Sequence, residues 1–212
     1  EIQNRIEQAF AYDDYQWQKQ QDMLIHDPRN AEGLHRILYQ CPHCLKEGVM
    51  NSKGVTLFCT NCQCSYQLLP DGSLQAEQIE SCFTHVPDWF EWQRDNVRQQ
   101  LIAGTYRIED AVLIDALPNS KGFIPLGKGT LIHDNTGFHL TWQEDGETKY
   151  LHNPVEAMYS VHIEYDYNKK GDCIDLTTLS ENYYCYPQNL KNIVTKIHFA
   201  TEELFKLGGH RS

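Results

Sequence analysis

The chain has 212 residues, with 18 Lys and Arg against 29 Asp and Glu, for a formal net charge of −11. The length allows a sizeable core in one or two domains. The acidic balance argues against a phosphate-backbone partner and an anionic membrane surface. With no run of about eighteen apolar residues, nothing is expected to insert in a bilayer.

Ile2, Ile6, Ala9, Phe10 and Trp17 fall at helical spacing over residues 1 to about 21, with only Asp13 interrupting the stripe. Such a helix has to bury its apolar face on the following domains or on a preceding part. No signal peptide opens the chain, and a start at Glu1 without methionine is expected of a piece cut from a longer protein. Asp27-Pro28-Arg29-Asn30 breaks the pattern, and Leu34 to Tyr39 reads as the first strand of a cysteine-bearing ribbon.

Cys41-Pro42-His43-Cys44 and Cys59-Thr60-Asn61-Cys62 are two Cys-x-x-Cys knuckles separated by fourteen residues. Each knuckle aims two sulfurs at one point, and that pairing is the pattern of a four-thiolate zinc ribbon. Cys41, Cys44, Cys59 and Cys62 are therefore the candidate ligands. Four protein ligands leave no place for water or substrate, so the zinc is expected to be structural. Two disulfides or four free thiols are the alternatives. Gly48 and Gly54 sit where the intervening hairpin needs reversals. Cys64 comes directly after, a competitor for the site or a bystander on the next strand. The remaining cysteines, Cys82, Cys173 and Cys185, show no paired spacing, which suits a reducing cytosol. Between Tyr39 and Pro70 the basic residues are Lys46 and Lys53, too few for a phosphate track.

Val55 to Phe58 and Ser65 to Leu69 read as ribbon strands, and Asp71-Gly72 as the turn before Leu74. Pro87 opens a helix that Gly104 ends. Trp89, Phe90 and Trp92 near its start serve either internal packing or a docking surface. From Tyr106 to Tyr186 the apolar period becomes two, with turn signals at Pro118-Asn119, Asp134 to Gly137, Glu144 to Gly146 and Asn168 to Gly171. About seven short strands are expected, including Tyr159 to Tyr167. A last helix then presents Ile193, Ile197, Ala200, Leu204 and Leu207. Seven antiparallel strands and a C-terminal helix match the plan of a pleckstrin-homology-like barrel. The expected chain is α+β: leading helix and linker at 1–37, ribbon at 38–86, connecting helix at 87–104 and barrel-like domain at 105–212.

His162, Glu164 and Asp166 alternate on one strand. The opposite parity is apolar, so the three are expected on a solvated sheet surface. Lys121 and Lys128, with Asp115 nearby, would make a weak anion pocket. Cys173 and Cys185 read as small hydrophobes. No glycine-rich phosphate loop or nucleophile elbow occurs.

The strings AFAYDDY at 9–15, LYQCPHC at 38–44, HVPDWFEW at 85–92 and MYSVHIEYDY at 158–167 resemble the region after the catalytic domain of long bacterial 1-acyl-sn-glycerol-3-phosphate acyltransferases. The resemblance runs over nearly the whole chain, although Gln63 stands where a glycine commonly succeeds the second knuckle. That family's signature is a His with an Asp five residues on, and none of the ten histidines here has one. The resemblance implies a non-catalytic accessory region with no catalytic residue of its own. Its implied role is in phospholipid biosynthesis, scaffolding or regulating the protein's own N-terminal acyltransferase domain. It also implies a cytoplasmic location, peripheral to the membrane in the full-length protein. An independent zinc-ribbon module for nucleic acid or protein is the other reading, and nothing in the pattern fixes an oligomeric state.

Overall fold

The computed structural model describes residues 2–77, 80–118, 122–179 and 181–208. The leading stripe forms two helices rather than one, α1 (Ile2–Phe10) and α2 (Asp14–Gln20). Asp13 is the reason. It takes an extended backbone and accepts hydrogen bonds from the Tyr15 and Gln16 amides at 3.0 Å, capping a new helix instead of continuing the old one. Asp13 also meets His85 at 2.8 Å, and Gln18 Nε2 donates to Pro70 O at 2.9 Å, so α2 is anchored to the ribbon. The stripe on α1 stays uncovered: Ile2 is 78% exposed and Phe10 83%.

The strand expected over Leu34 to Tyr39 is instead a short helix, α3 (Leu34–Ile37). Side chains from two later helices take its last carbonyls. Gln93 Nε2 donates to Ile37 O at 3.0 Å and Thr195 Oγ1 to Arg36 O at 2.7 Å, so no partner strand is needed. Four strands come next in the order β1 (Met50–Lys53), β2 (Thr56–Cys59), β3 (Ser65–Leu68), β4 (Leu74–Ala76), each antiparallel to its neighbour. Gly48 and Gly54 both have left-handed φ, 66° and 62°, and a Cβ on Gly48 would lie 3.0 Å from Lys191 O.

Helix α4 (Val86–Ile102) begins with Pro87 in its first turn, carries Asp88 there, and is followed by Gly104 at φ 68°. Its opening aromatics turn inward. Trp89 is fully buried, with ring centroids 5.1 Å from Tyr66 and 5.9 Å from Phe83. Trp92 packs on Phe83 at 5.6 Å, and Phe90 meets Phe199 edge-on at 4.6 Å. Of the two uses expected for these rings, internal packing is the one the fold adopts for Trp89.

The second sheet has seven antiparallel strands: β5 (Arg107–Pro118), β6 (Ile124–Asp134), β7 (Gly137–Glu144), β8 (Glu147–Pro154), β9 (His162–Glu164), β10 (Cys173–Thr177) and β11 (Glu181–Pro187). Their order is β8-β7-β6-β5-β11-β10-β9. Two of them are not short, since β5 runs twelve residues and β6 eleven. Strands β8 and β9 form the edges, with no pairing between them among the described residues. The strand expected over Tyr159 to Tyr167 contracts to three residues. Asp166 and Asn168 both take φ 52°, which no strand accommodates, and the Asp166 amide donates to Asp172 Oδ1 at 3.0 Å. The Pro118-Asn119 turn signal falls partly outside the described residues, whereas the other three signals lie at chain reversals.

Helix α5 (Val194–Gly208) lays Val194, Ile197, Ala200 and Leu204 on the sheet, where they join Val112, Ile114, Phe138, Leu140 and Val161 in one core. Ile163 and Tyr165 pack against that core half-buried. Ile197→Asp would place an unpaired charge at a fully buried position. It should cost at least about 3 kcal/mol in denaturant unfolding.

His133 is buried in the same core, stacked on Phe138 at 3.9 Å and bonded through Nδ1 to the Tyr106 hydroxyl at 2.8 Å. Burial pushes it down from 6.5 to about 3, so it stays neutral in the fold while the unfolded chain protonates near pH 6.5. The stability this confers is fully present above about pH 6.5 and is lost as pH falls from there toward 3. Between pH 7 and pH 5 the wild type should lose about 2 kcal/mol through this group. His133→Gln should remove that share of the loss, read as the difference between the two proteins' unfolding curves at each pH.

Candidate metal centre

The two knuckles are built alike. In the first, Leu45 N–H donates to Cys41 O at 2.9 Å and Cys44 N–H to Cys41 Sγ at 3.5 Å. In the second, Gln63 N–H donates to Cys59 O at 3.0 Å, and the Asn61 and Cys62 amides donate to Cys59 Sγ at 3.3 and 3.4 Å. The residue closing each turn is left-handed, Leu45 at φ 61° and Gln63 at φ 65°. The side chain at 63 therefore does not disturb the turn: Gln63 adopts the backbone a glycine would, and its Nε2 donates to Thr60 O at 3.0 Å. Lys46 Nζ donates to Asn61 Oδ1 at 2.8 Å, a bond from one knuckle to the other.

These turns bring Cys41, Cys44, Cys59 and Cys62 together with all four Sγ atoms within 4.8 Å of one another. The Cys41–Cys62 and Cys44–Cys59 separations are both 3.7 Å. A tetrahedral ion with metal–sulfur bonds of about 2.3 Å requires about 3.8 Å between sulfurs. All four are free cysteines, so the disulfide alternative does not hold. The site can hold a metal ion. Among the described residues no separate cluster of three or more His, Cys, Asp or Glu meets this separation.

Burial pushes Cys41 and Cys59 up, whereas hydrogen bonds from the Cys64 backbone and neighbouring side chains outweigh burial and bring Cys62 down to about 6. Four sulfurs this close cannot all ionise unless a positive charge sits among them. Metal loading must then expel protons and weaken in acid.

Gln40, directly before Cys41, is locked by α4. Its N–H donates to Gln93 Oε1 at 2.9 Å, its carbonyl accepts from Trp89 Nε1 at 3.0 Å, and its Oε1 accepts from Asn96 Nδ2 at 2.9 Å. Gln93 is fully buried. Sequence reading missed this clamp, since a lone Gln in a helix carries no local signal. Cys64, expected on the next strand, lies just before β3 and is 4% exposed, with its Sγ 3.5 Å from both Cys41 and Cys62.

The other candidates do not assemble sites. His162 Nε2 meets Glu164 Oε1 at 3.0 Å on the exposed side of β9, while Asp166 lies beyond the strand and does not share that face. Lys121 lies outside the described residues. Lys128 is exposed on β6, and buried Asp115 is paired by Lys170 instead. Cys173 and Cys185 are fully buried, with burial pushing Cys173 up to about 12, as suits inert thiols. A cleft of about 500 Å³ beside β9 is lined by Ser160, His162, Asp175 and His198. Ser160 donates to Glu202, and His198 is held through Nδ1 by Val161 O and through Nε2 by Glu202, so no nucleophile–base pair forms. No helix among the described residues is long and apolar enough to cross a membrane. No family model and no curated protein matches the chain.

Gln93→Ala would leave the Gln40 amide and Ile37 carbonyl buried without partners. The expected loss is about 1–3 kcal/mol, together with weaker metal retention against a chelator, because Cys41 is the next residue after the freed one.

Proposed function

We propose that the chain is a zinc-stabilised, non-catalytic accessory region of a phospholipid-synthesis acyltransferase, docking to the catalytic domain of the same protein. The observation that carries the reading is the uncovered N-terminal segment. Eight of the exposed large apolar residues, Ile2, Ile6, Phe10, Tyr12, Trp17, Met23, Leu24 and Ile25, fall within the first 25 positions. Exposed large apolar side chains at this density are what an interface with another domain uses. The resemblance carried by the strings at 9–15, 38–44, 85–92 and 158–167 is what supports an acyltransferase domain as that partner. Trp89 is withdrawn from the docking surface because it is buried. The strand order and covering helix of the second sheet are compatible with a pleckstrin-homology-like plan.

Zinc is the metal we assign. Four thiolates in a tetrahedron select zinc or iron, and zinc suits a site whose task is to hold two turns together without redox chemistry. A closed four-thiolate site offers no coordination position to a substrate. Acyl transfer needs a positioned base and an oxyanion site, and the cleft beside β9 supplies no such pair. Unpaired cysteines throughout agree with a cytoplasmic setting.

Metal analysis should find one zinc per chain, and its removal should unfold the ribbon, since structural zinc contributes on the order of 10 kcal/mol. Less than about half an equivalent with an ordered ribbon would defeat the zinc assignment. The chain alone should transfer no acyl group to a lysophosphatidic acid acceptor. Ile6→Ser with Phe10→Ser, both at exposed positions, should weaken its capture by a separately expressed catalytic domain at least about tenfold. Acyl transfer by the isolated chain would defeat the accessory reading, and undiminished capture would defeat the docking surface.

A further inference from the structure

Cys64 is the one thiol outside the four-sulfur group that touches it. Its Sγ lies 3.5 Å from Cys41 and 3.5 Å from Cys62, which are themselves 3.7 Å apart. The three sulfurs thus form a nearly equilateral triangle. Its edges are close to the separation that a tetrahedral ion imposes on its ligands, about 3.8 Å. Cys64 therefore lies alongside the Cys41–Cys62 edge of the tetrahedron rather than on the far side of a strand. At 4% exposure it faces away from solvent and toward the sulfurs.

We propose that Cys64 is a reserve ligand that takes the coordination position of Cys62. This rests on the metal centre being a four-thiolate site and extends that reading. Cys62 is the ligand placed to leave. Like Cys44 it is partly exposed, and of the two it is the one whose sulfur adjoins Cys64, while Gln63 beside it is held at φ 65° by the second knuckle. Cys41 is fully buried, and its neighbour Gln40 is clamped by Trp89, Gln93 and Asn96. Cys64 is fixed in place by the bond from Cys59 N–H to Cys64 O at 2.9 Å, with β3 starting at the next residue. The Cys64 sulfur starts 3.5 Å from that of Cys62, so a side-chain rotation together with a small shift of the metal toward Cys64 would complete the coordination. The two partly exposed ligands are the ones an electrophile reaches first, so a buried substitute beside Cys62 lets the centre keep its metal when Cys62 is blocked.

Cobalt(II) is the probe, because thiolate-to-cobalt absorption grows with the number of bound thiolates. The full chain, Cys62→Ser, Cys64→Ser and the double variant are each titrated with cobalt and then competed with zinc. Both single variants should show the four-thiolate spectrum of the wild type. The double variant should show a three-thiolate spectrum and bind at least tenfold more weakly. If Cys62→Ser matches the double variant while the wild type keeps four thiolates, the reserve role is overturned and the metal centre stands. A Cys62→Ser chain that fails to fold with metal also counts against it, since a working substitute would have kept it folded. If the wild type itself takes no tetrahedral cobalt, the metal-centre reading fails and the reserve ligand with it.

Discussion

The ribbon strands are three or four residues long, and four such strands cannot bury enough apolar surface to persist alone. Two supports make up the deficit. One is the gathering of four sulfurs, a site that can hold a metal ion and that such an ion would turn into a crosslink between the knuckles. The other is α4, which lends Trp89 as the largest fully buried side chain of the ribbon core. The two meet at Gln40. Its backbone is bonded on both sides by α4 while the next residue supplies the first ligand. A metal held there and the helix would therefore stabilise the same turn.

That turn also ties the ribbon to the seven-stranded sheet. Glu47, between the first knuckle and β1, pairs with Lys196 of α5 at 2.7 Å, and Arg36 pairs with Asp172 at 3.2 Å. Asn192 Nδ2 donates to Met50 O at 3.3 Å. Helices α4 and α5 pack together around Arg94, whose guanidinium lies 4.6 Å over the Phe199 ring while bonding Glu202. Partly buried ion pairs of this kind contribute little net stability, because desolvation offsets attraction, but they penalise any other register. Apolar contact through Phe90, Tyr39 and Phe199 supplies the attraction, and the charges fix how the two parts sit.

The knuckles were legible in the sequence because their information is local: four cysteines at two short spacings, with the turn geometry implied by the spacing itself. The alternating strands and the final amphipathic helix were legible for the same reason, each carrying its period along its own length. The expectations that failed were decided at a distance. Leu34 to Ile37 looks extended by composition but becomes helical because Gln93 and Thr195, far along the chain, take its carbonyls. Tyr159 to Tyr167 alternates well, yet only His162–Glu164 finds a partner strand before Asp166 turns left-handed. Cys64 sits one residue before β3, and no periodicity could show that its sulfur faces the other thiols.

The same distinction separates the two aromatic-rich segments. Near Trp89 and near Phe10 the sequence shows large rings at helical spacing, and composition treats them alike. Trp89 has the underfilled ribbon within reach, so it goes inward. On α1 the stripe of Ile2, Ile6 and Phe10 has no such neighbour, and α2 beyond it is already committed to the ribbon through Asp13 and Gln18. A partner that shields Ile2, Ile6 and Phe10 would bury side chains that the described fold leaves in water, whereas Trp89 already has its cover within the chain.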